Sequence, residues 1–209
     1  MFLDVFDRNP WGTNCWLLGA EDTDDAVVVD PGFDPDAVRA LLDLAGRSPA
    51  AVLLTHAHAD HAGTAGLFAG DDVPVFCHPA DAPAFTDPVA WRRDGSANPL
   101  TEVKDLRTIE DGDVLRFSGF ELTVWHTPGH TPGHCVFRAD GDLLVFSGDL
   151  VFAGTIGRSD FANSDPDAMV ASLRRFLSLP DGLPVLPGHG RRTDVGTERA
   201  TNPFLVELG

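Results

Sequence analysis

The sequence has 209 residues, 43% of them hydrophobic, enough to bury a core without disulfides. Thirty-two acidic residues against fifteen basic ones give a net charge of -17, which repels nucleic acid and anionic membranes and argues against both as partners. Cys15, Cys77 and Cys135 are scattered and odd in number, the first residues carry no basic leader, and no stretch is long enough to span a membrane, so a single cytosolic domain over 1–209 is expected.

In chain order, Met1-Phe2-Leu3-Asp4-Val5-Phe6-Asp7 alternates apolar and acidic residues like a first strand, and strands follow near 14–19 and 26–30. A helical pattern covers 35–46. The apolar run Ala51-Val52-Leu53-Leu54 is of strand length and leads into Thr55-His56-Ala57-His58-Ala59-Asp60-His61, after which a helix is expected near 62–69. The histidines therefore fall on a strand-to-helix loop, His56 and His58 sharing a side if strand geometry persists, with Asp60 and His61 turned elsewhere. Acidic groups such as Glu21-Asp22-Thr23-Asp24-Asp25 and Asp71-Asp72 read as solvated turns.

A strand near 73–76 and a helix near 79–85 precede residues 86–105, which lack periodicity. Irregular stretches of that length are usually functional or mobile, and Trp91, Arg92 and Arg93 are candidate lid contacts set against an ordinary linker with a buried Trp. Strands near 114–117 and 120–126 lead to Gly129-His130-Thr131-Pro132-Gly133-His134, then strands near 134–139 and 143–147 lead to Gly148-Asp149. Asp165 and Pro166, as N-cap and first helical residue, start the clearest helix, over 165–178. A last strand near 184–187 delivers Gly188-His189.

Imidazole suits zinc, iron, copper or nickel and a carboxylate suits harder cations, so the mixed set in 56–61 points to Zn(II), Fe(II) or Mn(II). A lone His or Asp after a strand is more often a turn residue. Here, however, a strand followed by glycine and one ligand-type side chain recurs at His130, Asp149 and His189. Cys135 reads as a small buried apolar residue, and His78, His126 and His134 as hydrogen-bonding side chains.

The order His56-x-His58-x-Asp60-His61, His130, Asp149, His189 resembles the metallo-β-lactamase fold superfamily. Thr127-Pro128-Gly129-His130-Thr131-Pro132-Gly133-His134 and Phe146-Ser147-Gly148-Asp149 are similar to its glyoxalase II branch. Gly154-Thr155-Ile156-Gly157-Arg158-Ser159-Asp160 and Thr201-Asn202-Pro203-Phe204-Leu205 look like that branch's short bacterial members. The resemblance implies an α/β fold, a four-layer αββα sandwich, and two metal ions, zinc first with Fe(II) or Mn(II) as substitutes. One ion would use His56, His58 and His130, the other Asp60, His61 and His189, with Asp149 as the bridge. It also implies hydrolysis of a small acyl thioester such as S-lactoylglutathione by water activated between the metals, Asp60 helping to orient it.

The helical glutathione-binding domain of glyoxalase II proper is expected to be absent. In the segment that holds a carboxylate in the family, Arg158 is the candidate substrate contact and Asp160 stands about where a tyrosine would help; the chain contains no tyrosine. A salt bridge between Arg158 and Asp160 is the competing reading. Rival functions are a mononuclear Fe(II) persulfide dioxygenase, a lactonase or β-lactamase, and a non-enzymatic binding or electron-transfer module. The first hairpin turn, Pro10-Trp11-Gly12-Thr13-Asn14, would overhang the metals.

Overall fold

The computed structural model describes residues 1–68, 73–92, 100–139 and 143–209. Its first sheet runs β1 (Phe2–Phe6), β2 (Cys15–Gly19), β3 (Asp25–Val29), β4 (Ser48–Leu53), β5 (Val75–Cys77) and β6 (Leu106–Thr108) side by side. The second is ordered β14 (Thr193–Asp194), β13 (Pro184–Pro187), β10 (Leu144–Gly148), β9 (Cys135–Ala139), β8 (Phe120–His126) and β7 (Val114–Phe117). A small hairpin, β11 (Val151–Phe152) with β12 (Thr155–Ile156), stands apart from both.

Side chains of a strand alternate faces, and here both faces are apolar. Ala51 and Leu53 of β4 meet Leu144 and Phe146 of β10 in the core between the sheets. Val52, from the other face of β4, packs with Val38 and Leu42 of α1 (Pro35–Leu44) and with Phe68 of α3 (Ala65–Phe68). Val145 of β10 packs with Met169, Leu173 and Phe176 of α6 (Pro166–Phe176). The result is the expected αββα order of layers.

Asp34 and Asp165 start α1 and α6 by accepting from free amides of the first turn, an arrangement worth about 1 kcal/mol each. The expected helix near 62–69 is corrected. It begins earlier, as α2 (Ala59–Ala62), breaks at Gly63-Thr64 and resumes as α3, so Asp60 and His61 lie in a helical turn. The stretch 86–105 is not wholly irregular either, since α5 (Pro88–Arg92) follows α4 (Pro83–Thr86). Arg93, Asp71, Asp72 and the side chain of Arg92 lie outside the described residues.

The sheets are tied together at one edge. Cys135 N–H donates to Thr55 O at 2.7 Å, joining the start of β9 to the end of β4. Asn14 Nδ2 donates to Pro187 O at 2.9 Å and to Gly190 O at 2.8 Å, and Trp16 Nε1 donates to Pro187 O at 3.0 Å. β10 and β13 are parallel, with Gly148 beside Pro187, so Asp149 and His189 leave the sheet together.

Candidate metal centre

At that edge the loop after β4, the β8–β9 turn and the ends of β10 and β13 converge. Three sets of ligand-type atoms lie within 4.8 Å of one another: His56, His58 and His130; His56, His61 and Asp149; Asp60, His61 and His189. All the residues that the sequence singled out in this respect are brought together.

The hydrogen bonds behind these rings fix which nitrogen faces inward. His130 Nδ1 donates to Arg158 O at 2.7 Å, leaving Nε2 only 2.9 Å from His58 Nδ1. His61 Nδ1 donates to Asp30 Oδ2 at 2.9 Å, and its Nε2 lies 3.2 Å from His189 Nε2. Thr55 Oγ1 donates to Asp30 Oδ2 at 2.6 Å and so accepts from His56 Nδ1 at 3.0 Å. His56 Nε2, facing the centre, is buried and has no hydrogen-bond partner among the described residues.

Asp149 reaches both halves with its two oxygens. Oδ1 lies 3.3 Å from His61 Nε2, and Oδ2 lies 3.4 Å from His130 Nε2 and 3.6 Å from His189 Nε2. Oδ1 is buried without a hydrogen bond. Orphaned polar atoms are costly unless something pairs them. A cation accepted by His56 Nε2 and Asp149 Oδ1 satisfies both, so these residues fit a metal.

The local field also asks for positive charge. Burial disfavours protonation of His61, yet Asp149, Asp60 and Asp30 raise its pKa to about 10. Although burial raises the Asp60 carboxyl, His61 and His189 hold it well below the ordinary range. Burial lowers His189 too, but Asp60 and Asp149 outweigh it and raise its pKa. His56, pressed by burial and by its imidazole neighbours, is held well below its ordinary value and is kept neutral. A neutral imidazole is the form that binds a cation.

Two glycines explain the repeated glycine-ligand construction. Gly148 has φ +49°, and a Cβ there would stand 2.6 Å from Thr55 Cβ and 2.7 Å from His134 Nε2. A Cβ on Gly188 would stand 2.4 Å from Asp149 Oδ1.

Three supporting residues are absent from the set that the sequence singled out. Asp30, 1% exposed and at φ 54°, carries the Thr55 and His61 contacts just described. The sequence signal was available, since Asp30-Pro31-Gly32 repeats the strand-then-acid construction at the end of β3. Asp81, fully buried, accepts from Ala57 N, Thr131 Oγ1, Gly133 N and Trp91 Nε1. Thr13, in the first hairpin turn, donates from Oγ1 to Asp60 Oδ2 at 3.2 Å.

His134 makes a structural hydrogen bond: Asp149 N–H donates to its Nε2 at 3.0 Å, so Nδ1 carries the proton facing Thr127 Oγ1 at 2.9 Å. Arg158 is the instructive case. Its guanidinium is paired with Asp160 at 2.8 and 3.0 Å and lies over the Phe161 ring, while its carbonyl is what reaches His130. Phe161 in turn packs against His58 and His130, with ring centroids at 5.1 and 5.7 Å. Trp91, a candidate lid contact set against a buried Trp, is buried, with its ring 5.8 Å from that of His58.

The three thiols are buried and free, and burial pushes their pKa values up, that of Cys77 to about 12. None is a nucleophile near neutral pH. No helix among the described residues is long and apolar enough to cross a membrane.

The family model of the metallo-beta-lactamase superfamily matches residues 8–189. The chain is 32% identical over 209 residues to the hydroxyacylglutathione hydrolase GloC of Haemophilus influenzae, covering 98% of each protein. Among solved structures it resembles TTHA1623 in a di-iron-bound form, with a TM-score of 0.81, 41% identity, and 98% of this chain and 100% of that one covered. It also resembles the BLEG-1 B3 metallo-beta-lactamase, with a TM-score of 0.85, 33% identity, and coverage of 98% and 99%.

Proposed function

Because the chain belongs to the metallo-beta-lactamase superfamily, we propose that it is a dinuclear metal-dependent hydrolase of small acyl thioesters, acting in the cytoplasm. The observation that carries the dinuclear reading is Asp149, which reaches His61 with Oδ1 and both His130 and His189 with Oδ2, Oδ1 being buried and without a hydrogen bond among the described residues. His56, His58 and His130 would hold one cation, Asp60, His61 and His189 the other, and Asp149 both. Zinc suits this His/Asp set, with iron supported by the di-iron-bound relative.

Two such cations supply Lewis-acid polarisation of the acyl carbonyl and lower the pKa of water to about 7. The chain's own part is to orient. Asp60 Oδ2, kept anionic and already accepting from Thr13 Oγ1, is placed to accept a hydrogen bond from the attacking water. Asp30 holds His61 and, through Thr55, His56 in the tautomers that face inward. Phe161 and Trp91 pack beside His58 and keep solvent from that side. Water adds to the thioester carbonyl, the carbon–sulfur bond breaks, and the products are a carboxylate, a thiol and a proton.

Thioester chemistry is favoured by the hydroxyacylglutathione hydrolase relative, which aligns along almost the whole chain. Arg158 is the residue proposed to meet an anionic group on the substrate, once released from Asp160. A panel of S-lactoylglutathione, a thioester of a different small thiol, a lactone and a β-lactam tests the assignment by thiol release and ring opening. Turnover of a thioester at least tenfold above the lactone and β-lactam in kcat/KM is expected. A lactone or β-lactam preferred by the same margin would overturn the substrate class while leaving the hydrolase reading intact.

A further inference from the structure

Behind the His56, His58 and His130 half of the centre stands a buried carboxylate whose hydrogen bonds go to the segments that carry or cover these histidines. Asp81 is fully buried, and among the described residues it has no cationic partner. Each of its oxygens takes two donors. Oδ2 accepts from Ala57 N at 3.0 Å and Thr131 Oγ1 at 2.7 Å, and Oδ1 accepts from Gly133 N at 2.8 Å and Trp91 Nε1 at 3.2 Å.

The identity of those donors is the argument. Ala57 is the single residue between His56 and His58, and Thr131 and Gly133 belong to the turn that carries His130. Trp91 places its ring against His58. A Cβ at Gly133 would stand 2.7 Å from Asp81 Cγ, so the turn is seated against the carboxylate with no spare room. Taking a carboxylate out of water is costly, and an apolar side chain of similar volume would fill the space at no such cost. Four donors satisfy the charge, and all four come from segments that carry or cover ligands of one half-site. None of the four serves the other half, where Asp30 stands behind His61 and Thr13 beside Asp60.

We infer that Asp81 is a positioning residue for the His56, His58 and His130 half-site, clamping the two loops that supply its ligands and docking Trp91 over His58. The inference rests on these histidines being metal ligands, as proposed above. It gives that half a buried carboxylate of its own, whereas Asp30 reaches His61 directly and His56 through Thr55.

The test is a competition titration of metal-free protein with zinc and a chromophoric chelator, which resolves the two binding steps. Wild type is compared with Asp81→Asn, Thr131→Val and Trp91→Phe. His189→Ala serves as the reference that removes the other step. Asp81→Asn replaces an acceptor with an amide group that cannot serve all four donors. It is expected to weaken the His56, His58 and His130 step by about 10–100-fold and leave the other at its wild-type affinity. Thr131→Val and Trp91→Phe each remove one donor and keep the carboxylate, so they weaken the same step by smaller factors and decide the matter if Asp81→Asn does not fold.

Wild-type affinity at that step in Thr131→Val and Trp91→Phe would overturn the assignment. So would equal weakening of both steps, the mark of a merely structural role. A wild-type protein that takes up no zinc, iron or manganese would overturn the metal reading itself and this assignment with it.

Discussion

Asp30 Oδ2 lies 2.9 Å from His61 Nδ1, and the same oxygen accepts from Thr55 Oγ1, which accepts in turn from His56. One buried carboxylate thereby orients an imidazole in each half of the centre. Asp30→Asn is the informative change because asparagine tolerates the left-handed backbone at φ 54° nearly as well as aspartate. It should lower metal affinity or kcat/KM by about 10–100-fold while the far-ultraviolet circular dichroism stays that of the wild type. Retention of full affinity and full activity would contradict the orienting role.

Gly188→Ala should be severe although it adds only a methyl group. The new carbon would stand 2.4 Å from Asp149 Oδ1 and 2.8 Å from His61 Cε1, closer than real contacts allow. Destabilisation of about 1–3 kcal/mol is expected from overpacking alone, together with loss of bound metal, read by thermal melting and metal analysis. A variant that melts and binds metal like the wild type would show that the edge is looser than these distances indicate.

Arg158→Ala should leave metal content unchanged, since the contact to His130 is made by the backbone carbonyl, which any residue supplies. Its effect should fall on KM for an anionic thioester, and only modestly, because Asp160 already occupies the exposed guanidinium. Loss of a metal ion in this variant would contradict that division of labour.

The stacked pair His78 and His126, with ring centroids 3.8 Å apart, should be an acid-labile point. Burial first and His126 second lower the His78 pKa to about 4, against the opposing pull of Asp111, whereas the unfolded value is near 6.5. Between those values the unfolded chain binds the extra proton and the folded one does not. The stabilising contribution is therefore complete above about 6.5 and is lost as the pH falls toward 4. His78→Phe keeps a ring in the stack and removes the titration. Its melting temperature should gain on the wild type between about pH 7 and pH 4.5. A constant difference across that range would refute the assignment.

The clustered His and Asp residues were legible because metal chemistry admits few side-chain types and the fold delivers them after short strands, a pattern visible at His130, Asp149 and His189. The long strands and the helices over Pro35–Leu44 and Pro166–Phe176 were legible from periodicity and from their capping acids. The supporting carboxylate Asp81 was not, for a physical reason. Asp81 acts across 24 and 52 positions through hydrogen bonds to the backbone amides of Ala57 and Gly133, and any acid in a loop looks solvated until the loop is folded. Leu106–Thr108 and Thr193–Asp194 are edge strands too short to alternate. The helices over Val195–Thr201 and Pro203–Val206 did carry signals, with Asp194 and Asn202 as caps and Pro203 at the first position, but neither was recognised.

Glu198, which is 1% exposed, accepts from Gly154 N at 2.8 Å, Thr193 Oγ1 at 2.6 Å and Asn202 Nδ2 at 2.9 Å. It thereby joins the last helices to the hairpin over Val151–Ile156. Phe152 of that hairpin packs its ring against His189 at 5.7 Å. Glu198→Gln should cost about 1–3 kcal/mol of stability, measured by denaturant unfolding, because an amide replaces one of the two acceptor oxygens that serve these three donors and removes the charge that strengthens the bonds. An unchanged unfolding midpoint would show the network to be dispensable.

The central claim is a two-metal centre bridged by Asp149, and metal stoichiometry tests it most directly. The wild type, purified without added metal and then loaded, is compared with His58→Ala and His189→Ala by elemental analysis beside thiol release from a thioester. The account predicts two ions per chain in the wild type, one in each variant, and loss of hydrolysis in both. A single iron per chain in the wild type, with oxygen consumed in place of thiol released, would contradict it.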